Sequence, residues 1–198
     1  MPSPFGHALG GVLTAWLADL VPAGRSPRPA RQPESWFQRA GDGLTVACAV
    51  LAAVPDVDLF FDNHRTVTHS VGAVCLVACA TALVCVVRGG PLARIILTCT
   101  AAYASHLLLD WTAVDKTVPR GVQLLWPFDH RFYISGWNVF RQTERRGLFT
   151  LRTMTTNAVA LMQEIAILLP PLVAVWLIRV KAFARLATEV SGRDHPPQ

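Results

Sequence analysis

The chain has 198 residues, 52% of them apolar and only 16% charged, with a mean hydropathy of +0.37. A soluble domain is nearer one-quarter charged, so the deficit argues against an ordinary water-soluble fold and for one domain built into a bilayer. The net charge of +5 is almost all arginine, Lys116 and Lys181 being the only lysines; with this much apolar sequence, anionic headgroups are a simpler partner than nucleic acid.

Residues 5–21 read as a short helix rich in small residues, with His7 near its start. This N-terminus is apolar like a signal peptide but has no basic n-region and no A-x-A site, so it is kept in the mature chain together with His7. Residues 22–42 are a Pro/Arg loop. Residues 43–61 are apolar, with Pro55 near the end followed by Asp56 and Asp58, and 62–67 are a polar connection. Residues 68–87 have the clearest spanning length, since about 20 residues cross a bilayer core. Arg88-Gly-Gly-Pro91 predicts a tight turn, and 92–112 a further span ending in SHLLLDWT. Residues 113–156 are polar and aromatic, and 157–180 form a last span that Pro170-Pro171 should kink. The tail is basic and then disordered over 191–198, and His195 within it has no assignable role. Cys48, Cys75, Cys79, Cys85 and Cys99 all lie in apolar stretches without a C-x-x-C knuckle and read as small hydrophobes.

The expected architecture is all-α: residues 1–190 as a single multi-pass bundle of four to five apolar helices in the cell membrane, with a polar site at one face. If every apolar stretch crosses, one face collects His7, Asp56 and Asp58, His64 and His69, and His106 and Asp110. Glu164 lies about 10 Å deeper, two turns into the last helix. Ionisable groups at membrane depth are costly and mark function by default. The opposite face would carry Arg25, Arg28, Arg31, Arg39, Arg88, Arg94, Arg179, Lys181 and Arg185, making it cytoplasmic by the positive-inside rule. Lys116, Arg120, Arg131, Arg141, Arg145, Arg146 and Arg152 run against that orientation.

Imidazoles and carboxylates without paired thiolates are the ligand mix of a hydrolytic divalent-metal centre. His106 and Asp110 are four apart on one helical face, so both can reach one ion; the alternative is a hydrogen bond stapling two helices. Asp56 and Asp58 are candidate ligands, one of them a candidate base, against helix capping. His69 opens a helix at its positive end. Arg65 is a candidate clamp for phosphate or carboxylate, against a loop arginine facing headgroups. Glu164 is read as a ligand, a general base or the partner of a buried arginine. Trp126, Pro127, Phe128, Trp137 and Phe140, around His130, read as an interfacial aromatic belt.

PDVD, HRTVTHS, SHLLLDWT and LLWPF, in that order, resemble the signature of the YdjM-like family, described as LexA-regulated, membrane-bound, predicted metal-dependent hydrolases. The resemblance spans His7 to about Phe132. Thr66 stands where that family usually has glycine, and the gap between the D-x-D and H-R motifs is shorter here. The order His, Asp, His, H-x-x-x-D is also distantly similar to zinc-dependent phospholipase C and related nucleases. That similarity implies His7, Asp56 or Asp58, His69, His106 and Asp110 as ligands; the later H-x-x-x-E of those enzymes has no clear counterpart.

The resulting expectation is a metal-dependent hydrolase acting on a phosphoester or lipid-like substrate. Its ion would be Zn²⁺, with Mn²⁺ or Mg²⁺ as alternatives. The metal ligands would come from His7, Asp56, Asp58, His64, His69, His106 and Asp110, with Asp58 or Glu164 as base and Arg65 stabilising negative charge. The competing readings are a non-catalytic membrane protein with a structural metal site or buried polar network, and bis-histidine haem ligation by His69 and His106.

Overall fold

The computed structural model describes residues 1–21, 43–61, 64–88, 92–145, 147 and 149–194, the side chains of 60, 61, 92 and 182–194 excepted. The calls on 22–42, on Arg25, Arg28, Arg31, Arg39, Arg146 and His195, on the side chain of Arg185 and on most of the 88–91 turn lie outside these residues. Among the described residues the fold is all-helical: α1 (Pro4–Leu20), α2 (Gly43–Ala53), α3 (Val71–Arg88), α4 (Leu92–Thr112) and α5 (Leu151–Asp194). Two 3-10 segments, Val54–Phe61 and Val67–His69, form the corners between α2 and α3.

The expectation of four to five spans is corrected to two. Among the described residues only α3 and α5 combine the length and apolar content needed to cross a membrane. α2 has 11 residues, about 16 Å of helix at 1.5 Å per residue, half the thickness of a bilayer core. α1 has 17, and α4, though 21 residues long, carries Arg94, His106 and Asp110. The spanning windows of α3 and α5 are only 11% and 22% buried within the protein, so most of their apolar side chains face outward, as lipid contact requires, while Leu168, Leu172 and Val175 turn inward. α5 runs through Pro170 and Pro171 and on to Asp194, so the expected last span is the middle of a longer helix and the expected tail begins later.

α1 is the hub, packing against α2, α4 and α5, while α3 leans on α4. Its glycines make this possible by close approach. A Cβ on Gly6 would meet a Glu164 oxygen at 2.5 Å, one on Gly11 the Cys48 carbonyl oxygen at 2.3 Å, and Gly10 lies against Ser105 and Leu109. Three glycines within two turns thus admit α5, α2 and α4 in turn. α1 begins sharply because Ser3 caps it, accepting from Gly6 N at 3.2 Å, and Pro4 sits in the first turn, where it costs no hydrogen bond. The apolar packing divides by interface. Leu9, Val12, Leu13 and Trp16 meet Leu109, Leu168 and Leu172; Ala15, Cys48, Cys99 and Ala102 join α1, α2 and α4; Ala73 and Val77 meet Tyr103 and Leu107.

Residues 113–145 return across one end of the bundle without a helix or an extended strand. They supply partners for the first amides of α3, which a helix leaves unbonded: Val71 N donates to Leu124 O at 2.8 Å and Gly72 N to Trp126 O at 2.9 Å. The belt reading is corrected in part. Phe128 and Trp137 are exposed, but Phe140 is buried in the α1–α4–α5 core beside Ala113. None of the five cysteines is in a disulfide; Cys48, Cys85 and Cys99 are buried, Cys75 and Cys79 exposed.

The end of the bundle away from this segment is locked by Asp19 of α1. Its carboxylate accepts from Arg94 of α4 at 2.6 Å and from Arg179 of α5 at 2.7 Å. All three side chains are largely buried, so removing the carboxylate strands two guanidiniums. Asp19→Ala should lose about 3–5 kcal/mol of stability, read as a lowered midpoint of thermal unfolding in detergent. An unchanged midpoint would mean the triad adds nothing to the helix packing.

Candidate metal centre

Four elements deliver side chains to one point. His7 comes from the first turn of α1, Asp56 from the 3-10 turn that ends α2, His69 from the turn that precedes α3, and His106 with Asp110 from the C-terminal half of α4. Pro55 helps place Asp56, because the α-helix tightens to 3-10 at Val54 and carries the carboxylate inward. His7, His69 and His106 are 0% exposed, Asp110 1% and Asp56 5%.

The three imidazoles each present Nε2 to the same place. His69 Nε2 and His106 Nε2 are 3.0 Å apart, and they lie 3.3 and 3.1 Å from Asp110 Oδ2. His7 Nε2 is 3.4 Å from Asp110 Oδ1, and its ring stacks on that of His106 with centroids 3.6 Å apart. Asp56 stands slightly further out, 3.9–4.0 Å from the three nitrogens.

The second nitrogens fix the tautomers. His106 Nδ1 is 2.7 Å from the carbonyl oxygen of Ala52, which can only accept, so Nδ1 carries the proton and Nε2 a bare lone pair. His69 Nδ1 faces Asp58 Oδ2 at 3.2 Å and Thr68 Oγ1 at 2.9 Å, and Asp58 again draws the proton to Nδ1. The two Nε2 atoms, 3.0 Å apart, are close enough to share one positive charge, a proton on His69 or a metal ion in its place. This is the outer-shell pattern of metal-binding histidines, in which the far nitrogen donates to a carboxylate or carbonyl. The donor spacing agrees: two ligands sharing a tetrahedral ion at about 2.0–2.2 Å lie roughly 3.3–3.6 Å apart.

Both nitrogens of His7 and both oxygens of Asp56 and Asp110 are buried without a hydrogen-bond partner. Burying such atoms unpaired is expensive, and a cation shared among them removes that cost. The donors fall into two adjacent groups, His7–His106–Asp110 and Asp56–His64–His69, each with its ligand atoms within 4.8 Å of one another. The residues present therefore fit one or two divalent ions.

Asp58 stands behind this shell. It binds His64 Nδ1 at 2.6 Å, Thr68 Oγ1 at 2.5 Å and the backbone amide of Arg65 at 3.2 Å. Burial pushes its pKa up, but the bonds from His64, His69 and Thr68 prevail and hold it well below the usual carboxylate range. Burial lowers the pKa of His64 against the pull of Asp58, which keeps that ring neutral. Burial also opposes charge on His69, yet Asp110, Asp56 and Asp58 together raise its pKa well above 6.5.

Arg65 and Glu164 are placed differently from expectation. Arg65, at φ 70°, turns its guanidinium into a buried pair with Asp115, whose carboxylate is also bonded by Thr117 N at 2.9 Å and Gly121 N at 2.7 Å. It ties the HRTVTHS corner to the returning segment instead of standing free as a clamp. Glu164 is 0% exposed, and its oxygens accept from Ser3 N at 2.7 Å and Ser3 Oγ at 2.5 Å. It anchors the start of α1, and thereby His7, to α5; neither lone acid nor ligand describes these bonds. His130 is exposed and apart from these contacts. Thr68, Ala52, Asp115 and Arg145 are site-building residues the motifs did not reveal. Only Thr68 lies inside a quoted motif, and the others act through backbone or long-range pairing. A bis-histidine haem does not fit: axial nitrogens on opposite faces of a porphyrin cannot lie 3.0 Å apart with one aspartate oxygen reaching both.

The model of the YdjM inner membrane protein family matches residues 1–186. The chain belongs to that family. No curated protein and no solved structure matches the chain, and the expected similarity to zinc-dependent phospholipase C is not shown.

Two results should follow from the outer shell. Asp58→Asn should weaken Zn²⁺ affinity about 10–100-fold without abolishing it, measured by competition with a chromogenic chelator; affinity equal to wild type would remove Asp58 from the shell. The second concerns pH. Because His69 binds its proton more tightly folded than unfolded, that proton stabilises metal-free protein below about 6.5. The contribution is lost as pH rises through the raised value, where a metal ion takes the nitrogen instead. The gap in thermal midpoint between metal-loaded and chelated protein should therefore widen as pH rises from 6 to 8. A gap independent of pH would count against His69 as a ligand.

Proposed function

We propose that this is a multi-pass membrane hydrolase that uses one or two divalent ions, Zn²⁺ first among them, to cleave a phosphoester of lipid-like character. The observation that carries the reading is the convergence of His69 Nε2 and His106 Nε2, 3.0 Å apart, with the buried oxygens of Asp56 and Asp110. When bound, such an ion supplies a Lewis acid for a phosphoryl oxygen and lowers the pKa of water towards 7.

The chain's own groups do the rest. His7, Asp56, His69, His106 and Asp110 would hold the cation, with Asp58 and the Ala52 carbonyl orienting the rings. His64 is the proton-handling group. Asp58 fixes its Nδ1, and its Nε2 faces Met1 Sδ at 3.2 Å on the less enclosed side, where the ring is 15% exposed. A neutral imidazole backed by a carboxylate can take a proton at Nε2 and return it. Water is excluded elsewhere by the α1–α2–α4 packing. Support for a lipid-like substrate comes from the apolar groove of Val71, Cys75, Leu76, Trp126 and Phe128, which starts two residues after His69, and from the family's membrane setting.

The test is elemental analysis of detergent-purified protein alongside a phosphoester screen. Wild type should carry stoichiometric Zn²⁺ or Mn²⁺, and a folded His106→Ala/Asp110→Ala variant should carry none and turn over nothing. His64→Ala should keep at least one ion and lose about 10²–10⁴ in kcat. Metal without turnover on any phosphoester, together with unfolding on chelation, would favour a structural metal site instead.

A further inference from the structure

We propose that Arg145 recognises the anionic group of the substrate, setting one phosphate oxyanion beside the cation-binding side chains. The inference rests on the metal-centre reading above and names the ligand chemistry of that site.

The other buried or paired guanidiniums are spent. Arg65 is bound by Asp115, Arg94 and Arg179 by Asp19, and Arg131 by the exposed Asp129. Arg145 is different. Its guanidinium reaches Asp56 Oδ1 only at 3.8 Å, well beyond the 2.7–2.9 Å of a charge-assisted hydrogen bond, and its side chain is 35% exposed. It faces a metal-ligand carboxylate without being consumed by it, and part of its donor fork remains open to solvent.

The backbone around it is held. Glu144 N donates to Asn157 Oδ1 at 2.7 Å, and Asn157 Nδ2 returns a bond to Glu144 O at 2.9 Å. Thr143 donates from N and Oγ1 to Met1 O, both at 3.2 Å. Two residues of clamped chain thus aim a cation at the cluster from the returning segment. Met1 Sδ lies between them, 4.0 Å from Arg145 and 3.2 Å from His64 Nε2, so both side chains flank one buried methionine. A planar guanidinium presents paired donors that match phosphate oxygens, and a pre-placed one loses little entropy on binding them. His64 for the proton, the cation cluster and Arg145 for the oxyanion then surround Met1 Sδ, whose flexible side chain an entering phosphate would displace.

The experiment uses full-length protein in detergent, loaded with Zn²⁺, titrated calorimetrically with inorganic phosphate and, in a second arm, with phosphatidic acid in mixed micelles. Wild type is compared with Arg145→Ala, Arg145→Lys and the control Arg131→Ala, with zinc content and thermal midpoint read on every sample. The proposal expects Arg145→Ala to keep its zinc and its midpoint while phosphate binding weakens about tenfold or more, with Arg145→Lys between the two and Arg131→Ala like wild type. The same loss with phosphatidic acid, at tighter absolute affinity, identifies a lipid headgroup; a loss with inorganic phosphate alone identifies free phosphate or a soluble ester. Equal phosphate affinity in zinc-loaded Arg145→Ala and wild type overturns the proposal. So does loss of zinc in Arg145→Ala that Arg145→Lys restores, because Arg145 would then be a counter-charge for Asp56. A wild type that holds no zinc defeats the metal reading itself, which the elemental analysis reports separately from the binding arms.

Discussion

Carboxylates are costly to bury among apolar helices without hydrogen-bond donors or positive charge beside them, and this fold buries Asp56, Asp58 and Asp110 within one cluster. The structure resolves the conflict in two ways. Asp58 is satisfied by neighbouring donors from His64, Thr68 and the Arg65 amide. Asp56 and Asp110 have no such hydrogen bonds and lie among imidazole nitrogens, with the Met1 ammonium and the more distant Arg145 as nearby positive charge. The same bundle that excludes water from this point could therefore hold a cation there, among side chains that α1, α2 and α4 supply.

The scaffold is arranged to build that site at one end and to close the bundle at the other. α1 is pinned twice: Glu164 of α5 holds its first residues, and Asp19 near its last turn gathers Arg94 and Arg179. Between the pins, glycines let three helices approach closely enough for a short imidazole such as His7 to span to α4. The returning segment 113–145 completes the site end. It bonds the first amides of α3, locks Arg65 through Asp115 and carries Arg145 over Asp56. Its exposed Phe128 and Trp137 belong to the surface that an amphiphilic substrate would meet first.

Membership of an inner membrane protein family agrees with the two lipid-facing helices and says nothing about chemistry on its own. The chemistry is argued from the site. Histidines whose far nitrogens are already committed have one lone pair left, and here those lone pairs converge with carboxylate oxygens in a water-poor pocket. In a purely structural polar network the His69 proton would bridge them, and metal content separates that arrangement from an ion site.

The sequence by itself determined the helical class, the membrane setting and most of the ionisable residues that the fold brings together. His7, Asp56, His69, His106 and Asp110 stood out because ionisable residues at the ends of apolar stretches are costly, and because an i, i+4 spacing needs no tertiary information to share a face. Length alone misled on the number of spans, since 11 residues of α2 followed by a 3-10 turn read like one continuous apolar stretch until the backbone is seen. Only the tertiary structure decided roles. Arg65 and Glu164 carry the right charges for catalysis, but their partners, Asp115 and Ser3, lie 50 and 161 residues away, and no local pattern encodes such pairings. Arg145 was invisible for the complementary reason: within a basic stretch it looks like any headgroup-facing arginine, and what distinguishes it is the carboxylate that folding places in front of it and the absence of one close enough to claim it.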